Sequence, residues 1–267
     1  MTTRDRGAPP AIGITLFPTD RTIPPAELAR EIEARGFESF FVPEHSHIPA
    51  SRETPWPGSP DGSAPLPDMY WHLHDQIVGL SMAAAVTERL RLGTAVTLLP
   101  QHDPIWLAKQ LASLDHLSGG RVVLGIGFGW NREQTEQHGA RFAERRTLTR
   151  DHLAIMRSLW TDEEAAHVGE LRSLAPSWAH PKPAQPGGPP VLLGGGWGPK
   201  LFDAIVEYGD GWMPISARSS IVGRPPPPPP RVGGGGAGRP PAPGGGGVGG
   251  APTIDERALI GIHPSPY

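Results

Sequence analysis

The chain has no cysteine among its 267 residues. That excludes a disulfide framework and every Cys-ligated zinc or iron–sulfur site. No stretch approaches the ~18 apolar residues that a membrane span requires, and the opening MTTRDRGAPP carries no apolar signal region. Neither sign of charge dominates: a formal net charge of -3 offers nucleic acid no electrostatic hold. These absences lead us to expect a cytoplasmic protein whose partner is a small molecule, with no nucleic acid and no membrane. Glycine and proline, by contrast, are abundant, with 35 and 34 residues. They are unevenly placed, and their distribution divides the chain.

From residue 12 to residue 215 strands alternate with helices. Residues 12–16 (IGITL) read as a strand, and Pro24-Pro25 opens a helix over 26–35 closed by Gly36. A second strand, 39–42 (SFFV), ends at Pro43-Glu44-His45, and a long Pro- and Gly-rich loop follows over 48–70. A loop of that length in a compact domain is usually functional. Asp75 is placed to cap a helix running to Val86. A strand over 91–98 is followed by a helix after Pro104. There Ile105, Leu107, Ala108, Leu111, Ala112 and Leu114 recur at three- and four-residue spacing and predict one buried face. Residues 122–126 are almost continuously apolar, as in a parallel strand covered on both sides. A helix over 147–160, an irregular insertion over 161–190, a strand over 191–193, a helix over 199–208 and a strand over 211–215 complete the pattern. Asp103, Asp115 and Asp151 read as helix caps or solvated charges.

Alternating strands and helices imply a parallel α/β sheet, and the spacing favours a (β/α)8 TIM barrel over an open sheet. Six strands are recognisable, so the barrel is incomplete as read. The expected domain is 1–216. Residues 217–267 form a Pro/Gly-rich low-complexity tail with almost no apolar side chains, too little to offset the entropy of ordering. Two origins fit the tail: a flexible segment, or a change of reading frame in a GC-rich gene. Pro, Gly, Ala and Arg codons can be written with G and C alone. The frame change is favoured because the tail begins where strands seven and eight are due.

Three clusters fall at expected strand ends, where barrels carry their sites. Glu44-His45-Ser46-His47 follows the second strand and pairs a carboxylate with an imidazole, a set able to give and take protons near neutral pH. Thr94-Ala95-Val96-Thr97 and Gly127-Phe128-Gly129-Trp130-Asn131 end neighbouring strands and would make a floor for a flat ring, with ordinary barrel filling as the plainer reading of Val96. Gly194-Gly195-Gly196-Trp197-Gly198-Pro199-Lys200 joins a strand to a helix, where free N–H groups and close backbone approach suit an anion. It is neither a Walker loop nor a GxGxxG fingerprint. A different class also fits part of the pattern. His45-x-His47 and His72-x-His74 are HxH pairs of the kind used by metal-dependent barrel hydrolases, but the later strands end in Gly, Trp and Met rather than further ligands.

The segments VPEHSHIP, LRLGTAVTLLPQHDPIWLAKQLASLDHLSGGRVVLGIGFGWNREQ and PPVLLGGGWGPKLFDAIVEYGDGWMP resemble, in order, the luciferase-like monooxygenase superfamily, particularly its coenzyme F420-dependent oxidoreductases. The resemblance covers almost all of 12–214. It implies a TIM barrel of the luciferase-like type with a flavin or deazaflavin at the strand carboxyl ends. F420 would be the cofactor, with FMN as the alternative and a flavin monooxygenase as the rival activity. It implies catalytic roles for His45 and Glu44. It implies cofactor contacts from Glu44, Ala95, Val96, Thr97, Gly127, Phe128, Gly129, Trp130 and Asn131. A strand bulge with a non-prolyl cis peptide would lie at Ala95-Val96. The cofactor phosphate would rest on Gly194, Gly195, Gly196 and Gly198, with Lys200 nearby. No metal is implied, and a homodimer is compatible with it. Trp130 stands where some members carry a catalytic carboxylate, so the resemblance does not extend to sugar-phosphate dehydrogenase activity. A barrel without its last two units would leave strand edges and core open, so weak folding or weak cofactor binding is expected of the chain as written.

Overall fold

The computed structural model describes residues 11–59 and 61–214. The expected tail over 217–267, the proposed frame change, the domain boundary at 216 and Ile215 lie outside the described residues. Strand β1 (Gly13–Thr15) leads to α1 (Pro25–Ala34), which has proline in its first turn. Strand β2 (Ser39–Val42) precedes the long loop, a 3-10 turn at Asp68–Trp71 and α2 (Gln76–Ala84). Asp75 caps α2 by accepting the Val78 N–H at 2.8 Å. Next come β3 (Arg91–Thr94), the short β4 (Thr97–Leu98) and α3 (Pro104–Ser118). Asp103 caps α3 by accepting the Ile105 and Trp106 N–H groups, each at 3.0 Å. The helix stops at Gly119, whose φ of 71° is left-handed. Strand β5 (Val122–Gly127), α4 (Arg132–Gln137) and α5 (Arg145–Thr161) follow. The pair β6 (Ala165–Val168) and β7 (Ser173–Ser177), then β8 (Val191–Gly195), α6 (Pro199–Tyr208) and β9 (Gly211–Pro214), complete the described fold.

The main sheet is parallel, in the order β1-β2-β3-β5-β8-β9, with β4 also pairing β5. It curls as part of a barrel, and the alternation of side chains along each strand sorts residues between two faces. Phe40, Val42, Leu92, Val122, Leu124, Ile126, Val191 and Leu193 pack outward against the helices, where most of the core lies. Phe41, Val123, Leu192 and Met213 pack together on the inner face, with Ala95 and Val96 against them. Above these bulky residues the inner positions of β5 and β8 become Gly125, Gly127 and Gly194. The inner face therefore narrows to backbone at the carboxyl end.

Several expectations need correction. The strand expected over 91–98 is two pieces, with the cis peptide Ala95-Val96 lying between them and Val96 turned inward. The segment 161–190 is not irregular throughout: β6 and β7 form an antiparallel pair packed on α5. Ile105 is 48 % exposed, unlike the other five residues of its expected stripe on α3. Asp115 and Asp151 are buried rather than solvated. Asp115 accepts the N–H groups of Val122 and Gln185 at 3.2 and 3.0 Å, tying the start of β5 to the segment before β8. Asp151 accepts those of Leu171 and Arg172 at 2.6 and 3.0 Å, bracing the turn between β6 and β7.

Candidate active site

The carboxyl ends of β2, β3, β4, β5, β8 and β9 converge, as the register of Val42 with Thr94, Leu98 with Gly127 and Gly194 with Met213 requires. The break between β3 and β4 is pinned on both sides. Ala95 N–H donates to Val42 O at 2.7 Å before it, and Leu98 N–H donates to Glu44 Oε2 at 2.6 Å after it. Gln76 links the two flanks, donating to Val42 O and accepting from the Thr97 hydroxyl, each at 2.7 Å. Thr97 is fully buried in that link, so its side chain does not reach the mouth of the barrel. Ala95 and Val96 remain partly exposed there.

Val96 explains two of the glycines. A Cβ on Gly127 would stand 2.5 Å from Val96 Cγ2, and a Cβ on Gly194 would stand 2.5 Å from Val96 Cγ1. Both strands thus give up a side chain so that one isopropyl group can seat between them. Further out, a Cβ on Gly196 or Gly198 would meet nothing within 4 Å among the described residues. The Gly194–Gly198 turn is held from behind by Trp212, whose Nε1–H donates to Gly195 O at 3.2 Å, and by the packing of Trp197, Phe202 and Trp212. Lys200 is exposed and lines a groove between α5 and α6 with Arg146 and Arg150. Arg146 also lies 4.1 Å over the Phe128 ring, so it brings a positive charge from α5 to the end of β5.

His45 stands at the end of β2 between two aromatic walls. Its ring centroid lies 5.3 Å from Tyr70 and 5.9 Å from Trp130. His45 Nδ1 is 2.9 Å from Gln134 Oε1. Since that oxygen can only accept, the proton belongs on Nδ1 and Nε2 is the basic nitrogen. Burial holds the imidazole below its ordinary pKa, outweighing the upward pull of Gln134 and Glu44. His45 is therefore neutral at pH 7. Glu44 does not hydrogen-bond to His45 among the described residues. Its second oxygen is 2.9 Å from His102 Nε2. Burial works against charge on His102, but the Glu44 contact, with help from Asp75, raises its pKa above the ordinary value.

Gln134 is fully buried on α4, an element that residue periodicity did not reveal. The signal was there: Asn131 with Gln134 three residues on is the spacing of a capping box. Asn131 accepts the Gln134 N–H at 3.0 Å, and its Nδ2 is buried with no partner among the described residues. Glu133, next on the same helix, grips the long loop by accepting the N–H groups of Glu53 and Thr54 at 2.8 and 3.0 Å and the Thr54 hydroxyl at 2.6 Å. Partial burial pushes the Glu133 carboxyl upward, but those donors win and hold its pKa at about 2. Trp56 completes the loop's attachment, donating to the Tyr70 hydroxyl at 3.1 Å.

The two HxH pairs do not assemble. His47 turns to Gln137 and Ser46, His72 pairs with Asp20, and no three His, Asp or Glu residues among those described converge as a metal site. A cavity of about 680 Å³ lies at the opposite end of the strands, lined by Ser39, Arg91, Val123, Leu192 and Asp210, away from His45.

The model of the luciferase-like monooxygenase family matches residues 23–223. The chain belongs to that family. A relative from Mycobacterium tuberculosis, described as an uncharacterized protein, is 50% identical over 201 residues, covering 75% of this chain and 71% of its own. The F420-dependent glucose-6-phosphate dehydrogenase of Kineococcus radiotolerans is 29% identical over 197 residues, covering 72% and 52%. Two solved structures share the luciferase-like fold. An F420-dependent secondary alcohol dehydrogenase holding an F420-acetone adduct superposes with a TM-score of 0.62 at 22% identity, covering 80% of this chain and 60% of that one. The oxygenating constituent of 3,6-diketocamphane monooxygenase from Pseudomonas putida, with FMN, superposes with a TM-score of 0.60 at 20% identity, covering 76% and 56%. The chain thus spans less than two thirds of either solved chain. Members of the luciferase-like family are oxidoreductases, and flavin and deazaflavin cofactors both occur among these relatives. None of the activities named for these matches is that of a hydrolase. No helix among the described residues is long and apolar enough to cross a membrane.

Proposed function

We propose that the chain is an F420-dependent oxidoreductase acting on a small organic alcohol or carbonyl compound, with His45 moving the proton. The observation that carries this reading is the neutral imidazole held by Gln134 just past the end of β2, the strand whose Val42 O receives the Ala95 N–H of the apolar floor. The residues fit a flat ring with a phosphate-bearing chain. The floor is apolar and partly open, Gly196 and Gly198 leave space for close approach, and α6 starts without a side-chain cap. Ala95 and Val96 would support the ring, with Phe128, Gly129 and Trp130 beside it. Gly196, Gly198 and Lys200 would take the phosphate, joined by Arg146. F420, when bound, supplies a carrier for two electrons as hydride.

His45 does what such a reaction needs of the protein. As a carbinol carbon is oxidised, Nε2 accepts the hydroxyl proton; in the reverse direction the same nitrogen returns it. Tyr70 and Trp130 exclude water from one side of the imidazole. Glu44 acts at one remove, holding Leu98 and His102 so that the floor keeps its shape.

The rival reading, an FMN-dependent monooxygenase, is favoured by the FMN-bound fold of the diketocamphane enzyme. Separate titrations with F420 and FMN, followed by absorption and fluorescence, divide the two. F420 should bind and FMN should not; tighter binding of FMN would overturn the proposal. His45→Ala should abolish most turnover while F420 affinity stays within about tenfold, about 1.4 kcal/mol. Unchanged turnover would remove His45 from the reaction.

A further inference from the structure

We infer that Arg52 is the anion-recognition residue of this site, so that the substrate carries a carboxylate or phosphate as well as its reacting oxygen. The inference rests on the oxidoreductase reading above and names the class of substrate. Arg52 belongs to the long loop, yet the loop brings it to the site. Its guanidinium carbon lies 5.7 Å from the centre of the Trp130 ring, and the same ring is 5.9 Å from that of His45. The same indole therefore neighbours both the proton-handling imidazole and a half-buried cation.

No carboxylate among the described residues neutralises that cation. Arg52 Nη1 donates to Thr54 O at 2.6 Å, and no ion pair engages the guanidinium among the described residues. Two carboxylates of the site have other partners: Glu44 holds Leu98 N–H and His102, and Glu133 accepts the three donors from Glu53 and Thr54. Glu133 thus spends its lone pairs on fixing the loop that carries Arg52, not on pairing with Arg52 itself. A guanidinium left with free donors, backed by an aromatic face and held by a pinned loop, suits planar two-point recognition of an anionic group. A substrate of this class would set its hydroxyl or carbonyl at His45 and its anionic end at Arg52, with Trp130 in contact with both residues.

The test uses the full chain and small probes. Benzoate, phenyl phosphate and the neutral benzamide are titrated by calorimetry into the wild type, Arg52→Gln and Arg52→Lys, with melting temperatures as a check on folding. The wild type should bind at least one anionic probe ten times more tightly than benzamide. Arg52→Gln should erase that preference and Arg52→Lys should keep part of it; whichever anion shows the larger loss is the group the site is built for. Equal binding of all three probes by the wild type, or a preference that survives Arg52→Gln, would overturn the inference. F420 is titrated into the same samples. F420 binding without any anion preference sinks the role of Arg52 and leaves the oxidoreductase reading standing. An Arg52-dependent preference without F420 binding supports the anion site and sinks that reading instead.

Discussion

Replacing Gln134 with glutamate isolates the electrostatics of His45 from its geometry. The substitution keeps an acceptor oxygen where Oε1 now stands, 2.9 Å from Nδ1, but adds a negative charge. An opposite charge that close raises a histidine pKa by roughly 1–3 units, or about 1.4–4 kcal/mol. The lower half of that range is expected, because Gln134 is fully buried and burial also resists ionisation of the new carboxylate. The two groups then titrate as a pair with shared apparent values. The sign follows from the wild type. Burial lowers the His45 pKa below its ordinary value and so favours the neutral, basic imidazole. A carboxylate at position 134 moves the protonation of His45 toward neutrality. The acid limb of kcat/KM for alcohol oxidation should shift to higher pH by at least about one unit, with the His45 ring resonance followed by NMR moving in parallel. A shift below about 0.3 units in a folded protein, well under the expected charge effect, would refute the assigned contact. A shift to lower pH would refute the assigned sign.

Two further changes probe the floor and the loop. Gly194→Ala should cost roughly 1–3 kcal/mol in chemical denaturation, because its Cβ meets Val96 Cγ1 at 2.5 Å. Adding Val96→Ala should return much of that loss, and strictly additive effects would show that the two residues do not touch. Glu133→Gln should expose the loop at residues 52–59 to proteolysis roughly fivefold faster at pH 7, about 1 kcal/mol once solvent screening is allowed for. The Glu133 carboxylate is depressed to about 2 in the folded chain, so its contribution is complete above its ordinary value near 4.5 and is lost as pH falls from there through about 2. Pepsin at pH 2 should therefore cut wild type and variant alike, and a difference that persists there would count against the latch.

Local signals in the chain were enough for the strand and helix alternation and for the Asp75 cap, and they left Asp103 as a cap or a solvated charge; the place of the Ala95-Val96 cis peptide came from the family resemblance. The local signals depend on residues adjacent in sequence: Asp75 and Asp103 cap helices that begin at the next residue, and the apolar run at β5 is buried by its own composition. His45 was legible for the same reason, since it follows β2 directly. Its partners were not. Gln134 lies 89 residues away and reads in sequence as one more polar residue on a helix face. Arg52 and Glu133 were equally silent, because nothing local tells whether a charged residue in a loop is solvated or held against an indole.

The chain by itself determined a parallel α/β fold, the family, and a set of small residues at the strand ends. Only the tertiary structure decided what those residues do. Gly127 and Gly194 looked like points of approach for a ligand, and they are first of all the space for Val96, which three strands must meet to define. Thr97 looked like part of the floor and is buried against Gln76. The reason is physical: a glycine permits close contact whatever the partner, and a hydroxyl can bond on either side of a strand. Which atom fills the space is settled by elements far apart in the chain, and that information exists only when the sheet has closed around it.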